Sequence, residues 1–248
     1  MPFEAALAVA GVVLVVTFVV IISVVAGRRA AAQNEERKQQ ASMRGWSFEA
    51  THEKGFRVHR WKGATEGVDW IAESRYKAGG HGHPAARRTR WLSTAVRGPE
   101  KPILCMGVAI GKEAPTVTLA QGDGLLANLA VKAAGFAFDK AVDKYFGSEI
   151  GDVVDARQLK PVPGTTVPGY KIMAADTEAA SRILFQGLSR ALTASSPSEL
   201  GEDDGKQPWL LLWKDGVAVG RAELMDATDE IDRMARLGSS VARLPTIA

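Results

Sequence analysis

The sequence predicts an α+β protein: one N-terminal transmembrane helix, then a cytoplasmic β-rich region and a β-α-β-β-α unit. Three observations carry that expectation. No side chain from Ala5 to Gly27 ionises, residues 46–110 are rich in alternating aromatic and β-branched side chains, and the last third switches between helical and strand periods. The 248 residues are 46% hydrophobic and 24% charged, near the globular average, which argues against long disorder, a collagen repeat or a disulfide scaffold.

Residues 1–27 are read as a short tail and a retained transmembrane helix. The uncharged run corresponds to roughly 34 Å of helix, enough for a hydrocarbon core of about 30 Å. A secretory signal peptide would have a basic leader and an apolar stretch of only about 7–15 residues. Here the leader carries Glu4 and neither Lys nor Arg. Arg28, Arg29, Arg37, Lys38 and Arg44 follow the span, so the positive-inside tendency puts the N-terminus outside and the C-terminal bulk in the cytoplasm. A lone cysteine, Cys105, agrees with a reducing compartment. The span offers no imidazole or carboxylate for a pigment or proton path. Thr17 and Ser23 are expected to bond back to their own helix. Ala6 and Ala10 form a small-xxx-small pair, the candidate helix–helix contact.

Residues 28–45 are polar, free of Gly and Pro until Gly45, and rich in helix formers, which predicts a helical stalk. Residues 46–160 form the β-rich region. Strands are expected at Phe56–Trp61, Val68–Tyr76, around Trp91 and over Pro102–Ile110, with Trp46, Trp61, Trp70 and Trp91 as a core cluster. Apolar residues at helical spacing between Asp123 and Phe146 predict a packed helix within this region. Residues 161–248 supply the β-α-β-β-α unit. It comprises a strand at Tyr170–Ala174, a helix capped by Asp176, a hairpin turning at Asp215–Gly216, and a last helix beginning at Asp226 or Thr228. Pro161–Gly164 is either a linker or a loop within one domain.

Charge is uneven. Residues 28–98 carry 15 Lys/Arg against 7 Asp/Glu, a balance of +8, whereas residues 99–248 carry −4. The basic half contains Arg75, Lys77, Arg87, Arg88 and Arg90 beside Trp91. Basic and aromatic residues together can hold single-stranded nucleic acid, but beside a membrane anchor lipid headgroups or a partner protein fit better. Together with Arg28, Arg29, Arg37 and Lys38, these are the candidate membrane or partner contacts.

No catalytic, cofactor or metal site is expected. His81 and His83 in a glycine-rich loop would need further ligands to hold zinc, and beyond the carboxylates only His52, His59 and Cys105 remain. Gly107–Glu113 is one residue short of a phosphate loop and lacks its hydroxyl. Glu202, Asp203 and Asp204 do not match an EF-hand spacing. There is no G-x-S-x-G, H-E-x-x-H or C-x-x-C.

The anchor, the stretch Trp61–Trp70, the helix start Ala174–Ala180 and the hairpin Trp209–Val219 together resemble a loose group of bacterial single-pass membrane-anchored proteins of unknown function. The resemblance implies a bacterial inner membrane and carries no activity or site residue with it. The expected function is that of a non-enzymatic accessory or scaffold subunit of a larger membrane complex: respiratory, photosynthetic (reaction-centre or light-harvesting) or transport. Its expected partners are other membrane-protein subunits and anionic lipid headgroups, with no nucleic acid and no cofactor. The alternative is a membrane-surface regulatory module that binds anionic lipid through the basic loop.

Overall fold

The computed structural model describes residues 2–79, 85–107, 125–155, 158–164, 167–194 and 207–244, with backbone alone over 2–13 and 125–135. Anchor and stalk are one continuous helix, α1, from Pro2 to Met43. It contains the stretch long and apolar enough to cross a membrane. The side chains of Leu14 to Val25 lie open along it, with no part of the folded domain against them. Ser23 donates to the Val19 carbonyl at 2.8 Å, the local back-bond expected of a hydroxyl in an apolar helix. At Gly45 the backbone enters the left-handed region (φ +74), and the Trp46 amide donates back to the Ala41 carbonyl at 2.9 Å.

Nine strands follow: β1 (Ser47–Glu53), β2 (Phe56–Thr65), β3 (Val68–Lys77), β4 (Ala86–Ser93), β5 (Ile103–Gly107), β6 (Lys160–Pro161), β7 (Tyr170–Ala174), β8 (Trp209–Trp213) and β9 (Gly216–Arg221). They form one sheet in the order β1-β2-β3-β4-β9-β8-β5-β7-β6, antiparallel throughout. The first two hairpins turn on Lys54–Gly55 and Glu66–Gly67, with φ of 50 and 80, and 54 and 80. Positive φ at both central residues makes each a type I′ turn, whose twist matches that of the flanking strands. The β8–β9 hairpin turns on Lys214–Asp215, one residue earlier than expected, and Gly216 pairs with Trp213 inside the ladder.

That hairpin inserts between β4 and β5, so residues 46–160 and 161–248 contribute to a single sheet. Pro161 lies in edge strand β6, where its missing N–H costs no ladder bond. β8 is buried at every position because helices cover both sheet faces there.

On one face sit α6 (Thr228–Ala242), α4 (Thr177–Ile183), α5 (Ser189–Ala194) and the end of α1. Trp46, Trp61, Trp70, Trp91, Cys105, Leu210 and Leu212 pack there against Ile231, Met234 and Leu237. The tryptophan cluster is therefore core, as its spacing predicts. A Cβ on Gly238 would meet the Trp91 ring at 2.4 Å, so α6 presses onto the sheet only because position 238 has no side chain. Asp176 caps α4, its Oδ1 accepting from the Ala179 amide at 3.0 Å. Between α4 and α5 the chain kinks at Gly187 (φ +138), and Phe185 beside the kink is 95% exposed. Glu230 caps α6 from within, accepting from the Ala227 amide at 3.3 Å.

On the other face, α2 (Leu125–Phe146) and α3 (Ser148–Gly151) lie over β4 and β9 and pack with β8 and β5. Val142, Phe146 and Ile150 join Leu104, Leu211, Trp213 and Ala218 in a second core. On the same side, β1 to β3 lie beyond the helices, where Glu53, Arg60, Glu73 and Arg75 partner one another.

Candidate functional site

The uncovered half of that face carries a charged ladder. Cross-strand pairing aligns Glu49, Arg60, Glu73 and Arg90 in one row across β1 to β4. Directly opposed residues on one sheet face are neighbours, so alternating sign along the row is favourable. Glu73 is the centre, with its side chain only 5% exposed. Arg75 Nε reaches its Oε1 at 2.5 Å, Arg60 Nη2 its Oε2 at 2.8 Å, and Arg90 Nη2 its Oε1 at 3.3 Å. Burial pushes the carboxyl pKa up, but hydrogen bonds from Arg75 and Arg60 and the charge of Arg90 outweigh it. Glu73 thus titrates below the ordinary carboxylate range. Glu53 joins Arg60 at 3.1 Å and Arg75 at 3.4 Å, while Glu149 from α3 joins Arg90 at 3.1 Å. Such pairs fix strand register and helix position.

Beside the ladder, where β4 begins under the end of α2, a cleft of about 650 Å³ opens. Arg75, Arg88 and Glu149 line its ladder side, and Lys54, Phe56, Arg87, Asp143 and Lys144 line the rest. Five cations face two carboxylates. Arg88 is largely buried but only partly satisfied. Its Nη1 reaches the Asp143 carbonyl at 3.4 Å and its Nη2 reaches Glu149 at 3.8 Å, while its buried Nε has no partner. Burial, then the adjacent Arg90, lowers the Arg88 pKa from its ordinary value. A second, smaller cleft of about 250 Å³ shares Arg87 and Lys144 with the first.

The expected contact residues are thus divided. Arg28, Arg29 and Lys38 are exposed on α1. Arg37 is a docking residue instead: its Nη2 pairs with Asp226 at 2.6 Å and its Nε donates to the Asp226 carbonyl at 2.9 Å. Arg75 and Arg90 are held by Glu73, Lys77 lies 5.6 Å above the Phe56 ring, and Arg87 is exposed. Trp91 is a correction. It is fully buried beneath α6, so it contributes to the core and not to a membrane or partner surface. Ala6 and Ala10 lie on α1, their side chains outside the described residues; His81, His83, Glu202, Asp203 and Asp204 lie outside them entirely. No group of three metal-ligating side chains occurs among the described residues. Cys105 is fully buried, which pushes its thiol pKa up to about 12 and leaves it inert.

Glu73, Lys54, Lys144 and Glu149 are not among the contact residues expected from the sequence. The available signal was the strand period, which turns Arg60, Glu73 and Arg90 to one side once the hairpin register is known.

No protein-family model matches the chain, and no curated protein matches it. Among solved structures, the crystal structure of the mycobacterial trehalose monomycolate transport factor A, TtfA, is similar over 87% of this chain and 98% of that one. The identity is 8% and the TM-score 0.47, a level at which the likeness carries no functional argument.

Proposed function

We propose that this protein is a non-enzymatic, membrane-anchored accessory subunit that holds its α+β domain against a larger bacterial inner-membrane complex. The observation that carries the reading is the lock between anchor and domain. α1 continues without a break from the apolar stretch into the domain, where Arg37 pairs with Asp226, Arg44 pairs with Asp229, and Ala41 is buried. A flexible linker would let the domain diffuse about its tether, whereas a docked helix presents one face of it at one height. The basic flank after the span supports a cytoplasmic domain. The saturated arginine–carboxylate ladder supports a structural role over a catalytic one.

The test is to solubilise native membranes in a mild detergent and size the particle that carries the protein. Co-migration with other membrane subunits in constant ratio is expected, and their identity supplies the process. Migration as a small free species would contradict the proposal.

A further inference from the structure

The registers show which end of the sheet lies toward the apolar end of α1. The Trp46 ring lies against Gly63, which pairs with Trp70, just before the first β1–β2 pair, Ser47 with Lys62; this row is beside Ala41, because the Trp46 amide bonds to the Ala41 carbonyl. Four residues along the strands, the row Ala50–His59–Ser74–Thr89 lies beside Asp226, since Thr89 accepts from the Met225 amide and Ser74 donates to its carbonyl. Asp226 in turn holds Arg37. Going from Ala41 back to Arg37, toward the span, is therefore going toward the Lys54–Gly55 turn. From the His59 row to that turn is roughly 10 Å of strand, and from Arg37 to Arg28 roughly 14 Å of helix. For a helix running beside the strands, the turn, the end of β3 and the start of β4 reach nearly the level of Arg28 and Arg29, where the apolar run ends.

The basic cleft is at this end. Lys54 belongs to the turn, and Arg87 and Arg88 to the start of β4. Lys54, Arg87 and Lys144 are exposed and make no ion pair among the described residues, and Arg88 turns an unpartnered Nε inward. Guanidinium forks and ammonium groups around a concave site are suited to phosphate oxygens. Phe56, on the cleft wall, offers an apolar surface beside them.

We propose that this cleft binds the phosphate of an anionic phospholipid headgroup in the bilayer that α1 crosses. The inference goes beyond the accessory-subunit reading and does not depend on it.

The test uses the full chain, delipidated in detergent, with bound lipid counted by native mass spectrometry during titration with phosphatidylglycerol or phosphatidylcholine. Phosphatidylglycerol should bind preferentially. Combining Arg87→Gln and Lys144→Gln should weaken it roughly ten- to thirtyfold, as expected for two headgroup contacts. Removing two cations elsewhere, with Arg182→Gln and Arg236→Gln, should leave it unchanged. Lys54→Gln, on the same rim, serves if the double variant does not fold. Tighter binding of soluble glycerol phosphate than of phosphatidylglycerol, lost in the same variant, would uphold the phosphate site but give it a soluble ligand and overturn the lipid source. Equal binding of the two lipids, or no effect of the rim variants, would overturn the proposal altogether.

Discussion

Among the described residues, Glu73 and His59 are buried titratable groups whose protonation the fold opposes, from opposite sides of the sheet. His59 is packed between Phe48 and Trp61; burial, and then the charge of Arg37, lower its pKa from 6.5 to about 4. The folded state therefore binds fewer protons than the unfolded chain between those values. Stability is complete above pH 6.5 and falls as pH drops toward 4, by up to about 3 kcal/mol. His59→Gln should flatten this slope in thermal unfolding of the full chain between pH 7 and 4; an unchanged slope would remove His59 as its source. Glu73 acts lower down. Its stabilisation is present above its unfolded value of 4.5 and disappears as pH falls through its depressed folded value. Glu73→Gln leaves three arginines without their shared carboxylate and should cost about 3–5 kcal/mol at neutral pH. A loss below about 1 kcal/mol would mean that the ladder contributes little. The individual cations were legible in the sequence. Their neutralisation was not, because Arg60, Glu73 and Arg90 lie on three different strands and meet only through register.

Most helices and strands could be read locally because their signals are local: the apolar run for α1, the Asp176 cap for α4, alternation for β7 and β8. The β8–β9 turn was placed one residue late because Asp-Gly favours positive φ, whereas Gly216 here occupies a ladder position. A Cβ there would meet the Ser93 carbonyl oxygen at 2.4 Å, so close approach accounts for that glycine. The same reasoning gives a test at α6. Gly238→Ala gains helix propensity yet forces a methyl into the Trp91 ring, and a net destabilisation of about 1–3 kcal/mol is expected. A stabilised variant would show that α6 does not bear directly on Trp91. At the other junction, Arg37→Ala should raise amide hydrogen exchange in residues 38–44 severalfold, while exchange in β5 and β8 stays slow. Unchanged exchange in the stalk would mean that Arg37 does not hold it to the domain.

At the scale of the whole molecule, the insertion of β8–β9 between β4 and β5 lay beyond local reading. It depends on pairing between segments more than 100 residues apart, such as Trp91 with Val219. That insertion joins both halves of the chain in one sheet, and the docking of α1 along it is the observation on which both functional proposals draw. The most direct measurement is the depth of the two sheet ends relative to the bilayer. Spin labels at Lys54→Cys and Glu66→Cys, in the full chain in nanodiscs, would be read against a paramagnetic headgroup lipid; buried Cys105 stays unlabelled. The two turns are about 30 Å apart along β2. Strong relaxation at position 54 and little at 66 is the predicted result. Equal relaxation at both, or the reverse order, would contradict the orientation.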